Sequence, residues 1–158
     1  MPATAVAVPG APSALHRAEE EIPFVDFGDM QVQLLQVDVE GGLWVVRTRM
    51  QPGTTVQRHK HTGEVFAVTF SGAWKYLEYP EVNRAGSYLF EPAGSIHTLH
   101  VPDDVEGITD VWFAIRGANL NLDAEGNVES HVDASTVRDA YLAVAEQQGL
   151  GRPPVIGL

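Results

Sequence analysis

The chain has 158 residues, 44% of them hydrophobic, and 21 acidic against 10 basic side chains give a formal net charge of −11. That length fits one domain with a real core, and the acidic surplus excludes the basic patch that DNA, RNA or an anionic membrane surface would need. No apolar run approaches the roughly 18 residues of a membrane span, and the absence of cysteine excludes disulfides and thiolate sites and fits a cytoplasmic protein.

Between Met1 and Ala14, small apolar residues are interrupted by Pro2, Pro9 and Pro12. The stretch has neither a basic segment nor a continuous apolar core, so no secretory leader is expected. Its prolines disfavour a helix. Residues 1–21 read as a flexible arm ending in the solvated run Glu19-Glu20-Glu21, and residues 22–158 as one domain. Strand-like text begins with Gln31 to Val39, and Gly41-Gly42 marks a hairpin turn. Leu43 to Met50 is a further strand closed by Pro52-Gly53. Val65 to Phe70, Ala73 to Tyr79, Gly86 to Glu91, Ile96 to Val101 and Asp110 to Arg116 continue the series, and Asp123 to Asn127 reads as a hairpin loop. Short strands broken by Gly and Pro predict a sandwich or barrel. Only the end changes period. Val137, Ala140, Tyr141 and Val144 fall at i, i+3, i+4 and i+7, Asp133 offers an N-cap and Gly149 a stop, so a helix is predicted over about 133–148.

The chemistry concentrates in histidine. In His59-Lys60-His61 the two imidazoles are two residues apart, so on a strand they share a face while Lys60 points away. His97 follows Pro92-Ala93-Gly94 and has the inward parity of Leu99 and Val101. Three imidazoles on one face suit zinc, copper, iron or nickel rather than the oxygen-seeking magnesium and calcium. His100, three residues from His97, faces the opposite side, and His16 and His131 have no partner at ligand spacing.

These motifs resemble those of the cupin superfamily. Gly53-Thr54-Thr55-Val56-Gln57-Arg58-His59-Lys60-His61 with the closing Gly72 matches the first cupin motif. Gly86-Ser87-Tyr88-Leu89-Phe90-Glu91-Pro92-Ala93-Gly94-Ser95-Ile96-His97 matches the second at every fixed position. The resemblance implies an all-β cupin double-stranded β-helix, a jelly-roll barrel, here with a C-terminal α-helix. One departure is informative. The glutamate position of the first motif, counted back from Gly72, holds Val65, and the nearby Glu64 has the wrong parity to enter the site. Val101 likewise replaces the asparagine that often ends the second motif. Three neutral histidines would leave a divalent ion its full positive charge, which attracts an anionic, oxygen-chelating substrate.

Trp74-Lys75-Tyr76-Leu77-Glu78-Tyr79-Pro80, the stretch from Ala85 to Leu99, and the tail Gly117-Ala118-Asn119-Leu120-Asn121-Leu122-Asp123-Ala124-Glu125-Gly126-Asn127-Val128 are similar to the 2,4'-dihydroxyacetophenone dioxygenase family, a relative of acetylacetone-cleaving dioxygenase. That resemblance implies Fe(2+) on His59, His61 and His97, a supporting or catalytic role for Glu91, and an O2-dependent cleavage of a small aromatic hydroxyketone to 4-hydroxybenzoate and formate. A β-diketone dioxygenase and a non-catalytic metal-binding or sensor cupin stay open beside it. The alternative for Glu91 is a salt bridge to Arg47, Arg49 or Arg116. Trp44, Trp74, Tyr76, Trp112 and Phe113 are candidates to line an aryl pocket, with Glu78 on the parity of Trp74 and Tyr76. A homodimer or homotetramer is expected.

Overall fold

Branched and aromatic residues alternating with Gly and Pro turns produce thirteen strands among the described residues of the computed structural model, which covers residues 8–158. The first seven residues of the expected arm lie outside the described residues. In chain order the strands are β1 (Val25–Asp26), β2 (Met30–Asp38), β3 (Leu43–Met50), β4 (His59–His61), β5 (Val65–Ser71), β6 (Ala73–Tyr76), β7 (Val82–Arg84), β8 (Tyr88–Glu91), β9 (Ile96–His97), β10 (Leu99–His100), β11 (Thr109–Arg116), β12 (Asn119–Leu122) and β13 (Val128–Val132), followed by one helix, α1 (Ala134–Gln147). They form a six-stranded sheet in the order β1-β2-β3-β11-β5-β8, a four-stranded sheet β13-β12-β4-β9 and a three-stranded sheet β10-β6-β7. Every ladder between these strands is antiparallel. This is the cupin fold with its C-terminal helix.

Period-two alternation sets the two faces of the large sheet. On β3, Trp44, Val46, Thr48 and Met50 face a central cavity, while Arg47 and Arg49 point outward to Asp110. Leu34, Met50 and Val111 are fully buried, each worth about 1.5–3 kcal/mol over an exposed position. The glycine closing the first motif has a steric reason. Gly72 has φ +73°, and a Cβ there would lie 2.6 Å from the Thr109 Cα.

The predicted strand over Ile96 to Val101 is interrupted. β9 belongs to the four-stranded sheet and β10 to the three-stranded one, so the chain changes sheet at Thr98. The Glu78 carboxylate accepts from both the Thr98 amide and its hydroxyl at 2.8 Å, which satisfies the backbone at the break. The expected strand to Tyr79 stops at Tyr76, where a turn closes through the Tyr79 amide and the Tyr76 carbonyl at 3.2 Å.

The N-terminal segment is tied to the sheet. Glu19–Glu21 form a single 3-10 turn, Arg17 donates to the Pro154 carbonyl at 2.8 Å, and the exposed Glu19 pairs with Arg47 and Arg49. Helix α1 is N-capped by Asp133, which accepts from the amides of Ser135 and Thr136 at 2.9 Å. It ends in a Schellman pair at Gly149, φ +72°. Its fully buried residues are Ala134, Tyr141 and Ala145; of the predicted stripe, Val137 and Val144 also pack against the core, while Ala140 is exposed and lines the cavity with Val137. No helix among the described residues is long and apolar enough to cross a membrane.

Candidate metal centre

Strand β4 lies between β12 and β9, and register brings the histidines together. His59 is directly opposite His97, and His61 shares its face. All three are buried, at 5%, 3% and 1% exposure. Their ring centroids are 4.8, 5.0 and 4.9 Å apart, and one nitrogen from each lies within 4.8 Å of the others. The Nε2 atoms of His59 and His61 are 3.2 Å apart. Adjacent donors of a metal with bonds of about 2.1 Å sit roughly 3 Å apart at right angles, so this spacing is that of neighbouring ligands.

Two of the rings are held from outside. His59 Nδ1 lies 2.8 Å from the Gln57 carbonyl, a contact that puts the proton on Nδ1 and leaves Nε2 facing inward. Burial, aided by the neighbouring imidazoles, pushes His59 down to about 4, so it is neutral at physiological pH. Tyr76 stacks on His97 at 3.7 Å between centroids, 13° from parallel.

Glu91 enters the site from the neighbouring strand. It is opposite Val65 on the β5–β8 ladder, the position where the first motif lacks its acid. Its Oε2 is 2.9 Å from His61 Nε2 and 3.1 Å from His97 Nε2, and Oε1 accepts from the Tyr76 hydroxyl. Burial raises this carboxyl, but the adjacent His61 and His97 imidazoles outweigh it and hold it at about 2. Burial and the same carboxylate push the Tyr76 phenol well above its usual range, so it stays a donor. The site is therefore three imidazoles abutted by one carboxylate. The arginine alternatives are all engaged elsewhere: Arg47 and Arg49 with Asp110 and Glu19, and Arg116 with the exposed Glu64 at 3.5 Å.

The residues fit a transition metal on two further grounds. The donor set is nitrogen-rich. Two buried atoms facing the centre, His97 Nε2 and Glu91 Oε2, have no hydrogen-bond partner of adequate geometry, an arrangement that costs stability unless something else satisfies them.

The centre opens on a cavity of about 560 Å³. Of the predicted lining, Trp44, Tyr76 and Phe113 face it. The other candidates do not. Trp74 is fully buried in the core, with its indole N–H on Thr69 Oγ1 at 2.9 Å and its ring against Tyr76 and Phe113. Trp112 has the opposite parity to Phe113 on β11, and Glu78 serves Thr98 at the surface. Sequence reading did not single out Thr48, Asn119 or Asn121, which also line the cavity. The period-two spacing in Asn119-Leu120-Asn121 carried the signal for the last two.

A profile of the ChrR cupin-like domain matches residues 14–111. The chain belongs to this cupin family. No match was found among curated proteins. Among solved structures, this ChrR-like cupin is similar to a protein with a cupin-like fold from Ralstonia eutropha JMP134, at 33% identity and TM-score 0.83, covering 90% of this chain and 91% of that one. It also resembles an acetylacetone dioxygenase from Acinetobacter johnsonii, at 18% identity and TM-score 0.71, covering 90% and 99%. The anti-sigma ChrR of Rhodobacter sphaeroides, solved with SigE, matches at 17% identity and TM-score 0.51, covering 63% and 51%. The latter two likenesses are of fold.

Proposed function

We propose that this ChrR-like cupin is a mononuclear non-haem iron(II) dioxygenase that cleaves the carbon–carbon bond beside a ketone. Its substrate would be an aryl α-hydroxyketone such as 2,4'-dihydroxyacetophenone, which with O2 gives 4-hydroxybenzoate and formate. The observation carrying this reading is a buried three-imidazole face opening on a largely apolar cavity. His59, His61 and His97 would hold the iron, which supplies one-electron chemistry toward dioxygen. Trp44, Phe113, Ile115 and Val46 offer apolar walls for a ring and exclude water. The ionised Glu91, with Oε1 held by Tyr76 and Oε2 beside His61 and His97, would accept the proton of the substrate's α-hydroxyl. The cavity, about 560 Å³, is generous for acetylacetone and ample for an aryl ketone, and the acetylacetone dioxygenase likeness supports ketone chemistry in general.

The test is oxygen uptake by anaerobically iron-loaded protein, with formate quantified. The expected outcome is one formate per O2 with 2,4'-dihydroxyacetophenone and little turnover of acetylacetone. His97→Ala is expected to lose both iron and oxygen uptake, and a variant that keeps activity ends the reading. The family match itself favours a second reading, a regulatory metal-binding cupin. Stoichiometric zinc, together with no oxygen consumption after iron reconstitution, would select it.

A further inference from the structure

His59 and His61 present Nε2 to the same centre, but only His59 has a protein partner for its other nitrogen. His61 Nδ1 is buried without one. Two more buried polar atoms share that condition, Asn119 Oδ1 and Ser95 Oγ, and register places both beside His61. Asn119 is directly opposite His61 on the β12–β4 ladder and lines the same cavity. On the other side the His61 amide donates to the Ser95 carbonyl at 3.0 Å and the Gly94 amide to the His61 carbonyl at 2.7 Å. With Gly94 at φ +89°, this is a G1-type bulge that sets Gly94 and Ser95 against the one histidine. A row Asn119–His61–Ser95 therefore runs from β12 across β4 to the turn that leads into β9. Neighbouring Cβ atoms in such a row are about 4.5–5.5 Å apart.

The three atoms are chemically complementary. An imidazole bound to a metal through Nε2 must carry its proton on Nδ1 and needs an acceptor there. Asn119 Oδ1 is an acceptor, and Ser95 Oγ is either. A single buried water typically makes about three hydrogen bonds to groups of this kind. We infer that Asn119 and Ser95 hold one buried water against His61 Nδ1–H, and that Asn119 is a positioning residue that aims His61 Nε2 at the metal. The arrangement does for His61 what the Gln57 carbonyl does for His59. This rests on the three-histidine metal centre of the preceding section, but not on its dioxygenase chemistry.

The probe is zinc alone, bound in competition with a chromophoric chelator. Asn119→Leu keeps the volume and removes the acceptor, whereas Asn119→Asp keeps an acceptor. Leu is expected to weaken zinc binding by roughly 10- to 100-fold, Asp to retain most of the affinity, and Ser95→Ala to fall between. A packing role would give the reverse order, since Leu suits an apolar wall and Asp does not. A second readout is the exchange of ring Nδ1–H protons in the zinc-loaded protein by NMR. Asn119→Leu is expected to speed exchange at His61 while leaving His59, on its backbone carbonyl, unchanged. Parent-like zinc affinity with unaltered His61 exchange overturns the inference, as does equal loss in Leu and Asp variants. A parent that binds no zinc overturns the metal centre and this inference with it. A parent that binds zinc, beside unaffected variants, overturns this inference alone.

Discussion

Glu91 faces Val65 across the β5–β8 ladder, so the carboxylate missing from one strand enters the cavity from the next. A site read as three neutral nitrogens thereby acquires a negative charge within 3.1 Å of two of them. Unit charges about 4 Å apart still interact by roughly 4 kcal/mol at an effective dielectric of 20, so this neighbour matters to any divalent ion. Glu91→Gln leaves an oxygen for the Tyr76 hydroxyl and removes the charge. It is expected to lower zinc affinity roughly 10- to 100-fold by chelator competition, and unchanged affinity would mean that the carboxylate does not act on the ion. The histidines were legible in sequence because two residues on one strand share a face by period alone. The resemblance named Glu91 but left its partner open, because its reach depends on cross-strand register, which a single strand does not encode. Trp74 and Trp112 misled because aromatic type does not say which space a ring fills: Trp74 is buried in the core, and Trp112 lies half-buried on the outer face of β11.

At the level of elements, long strands with clear alternation, such as β3, were readable to the residue. Some short ones were not. β7, β12 and β13 carry too few alternating positions to stand out from loops, and the break at Thr98 depends on Glu78, twenty residues upstream. The helix was legible through its cap, its glycine stop and most of its apolar stripe, with Val137, Tyr141 and Val144 packed on the core and Ala140 alone exposed on the cavity side. The cap is testable. The Thr136 amide and Ser135 hold the Asp133 carboxyl below its ordinary value. Its contribution is therefore complete above the ordinary aspartate pKa near 4 and lost as pH falls through the lowered one. Asp133→Ala is expected to cost about 1 kcal/mol at pH 7, read from the urea midpoint. That difference from the parent should vanish on acidification, and a difference that persists in strong acid would deny the carboxylate its capping role.

Across the whole molecule, the large sheet separates two kinds of chemistry. Its inner face carries the cavity. Its outer face carries a charged clip, in which the buried Asp110 takes Arg47 Nε at 2.7 Å, Arg47 Nη2 at 2.8 Å and Arg49 Nε at 3.1 Å. The clip continues through Glu19 to the N-terminal segment, and the Arg49 guanidinium sits 3.8 Å from the Phe24 ring centroid. Removing the central carboxylate leaves two guanidiniums, only 19% and 31% exposed at the side chain, with the exposed Glu19 as their one remaining shared counter-ion. Breaking a buried pair from one side costs about 3–5 kcal/mol. Partial exposure of the arginines places Asp110→Ala at about 3 kcal/mol in chemical denaturation. Because alternation turns Arg47 and Arg49 away from the histidines, the same variant is expected to bind zinc as the parent does. Loss of zinc affinity in a folded Asp110→Ala protein would mean that the two faces of the sheet are coupled.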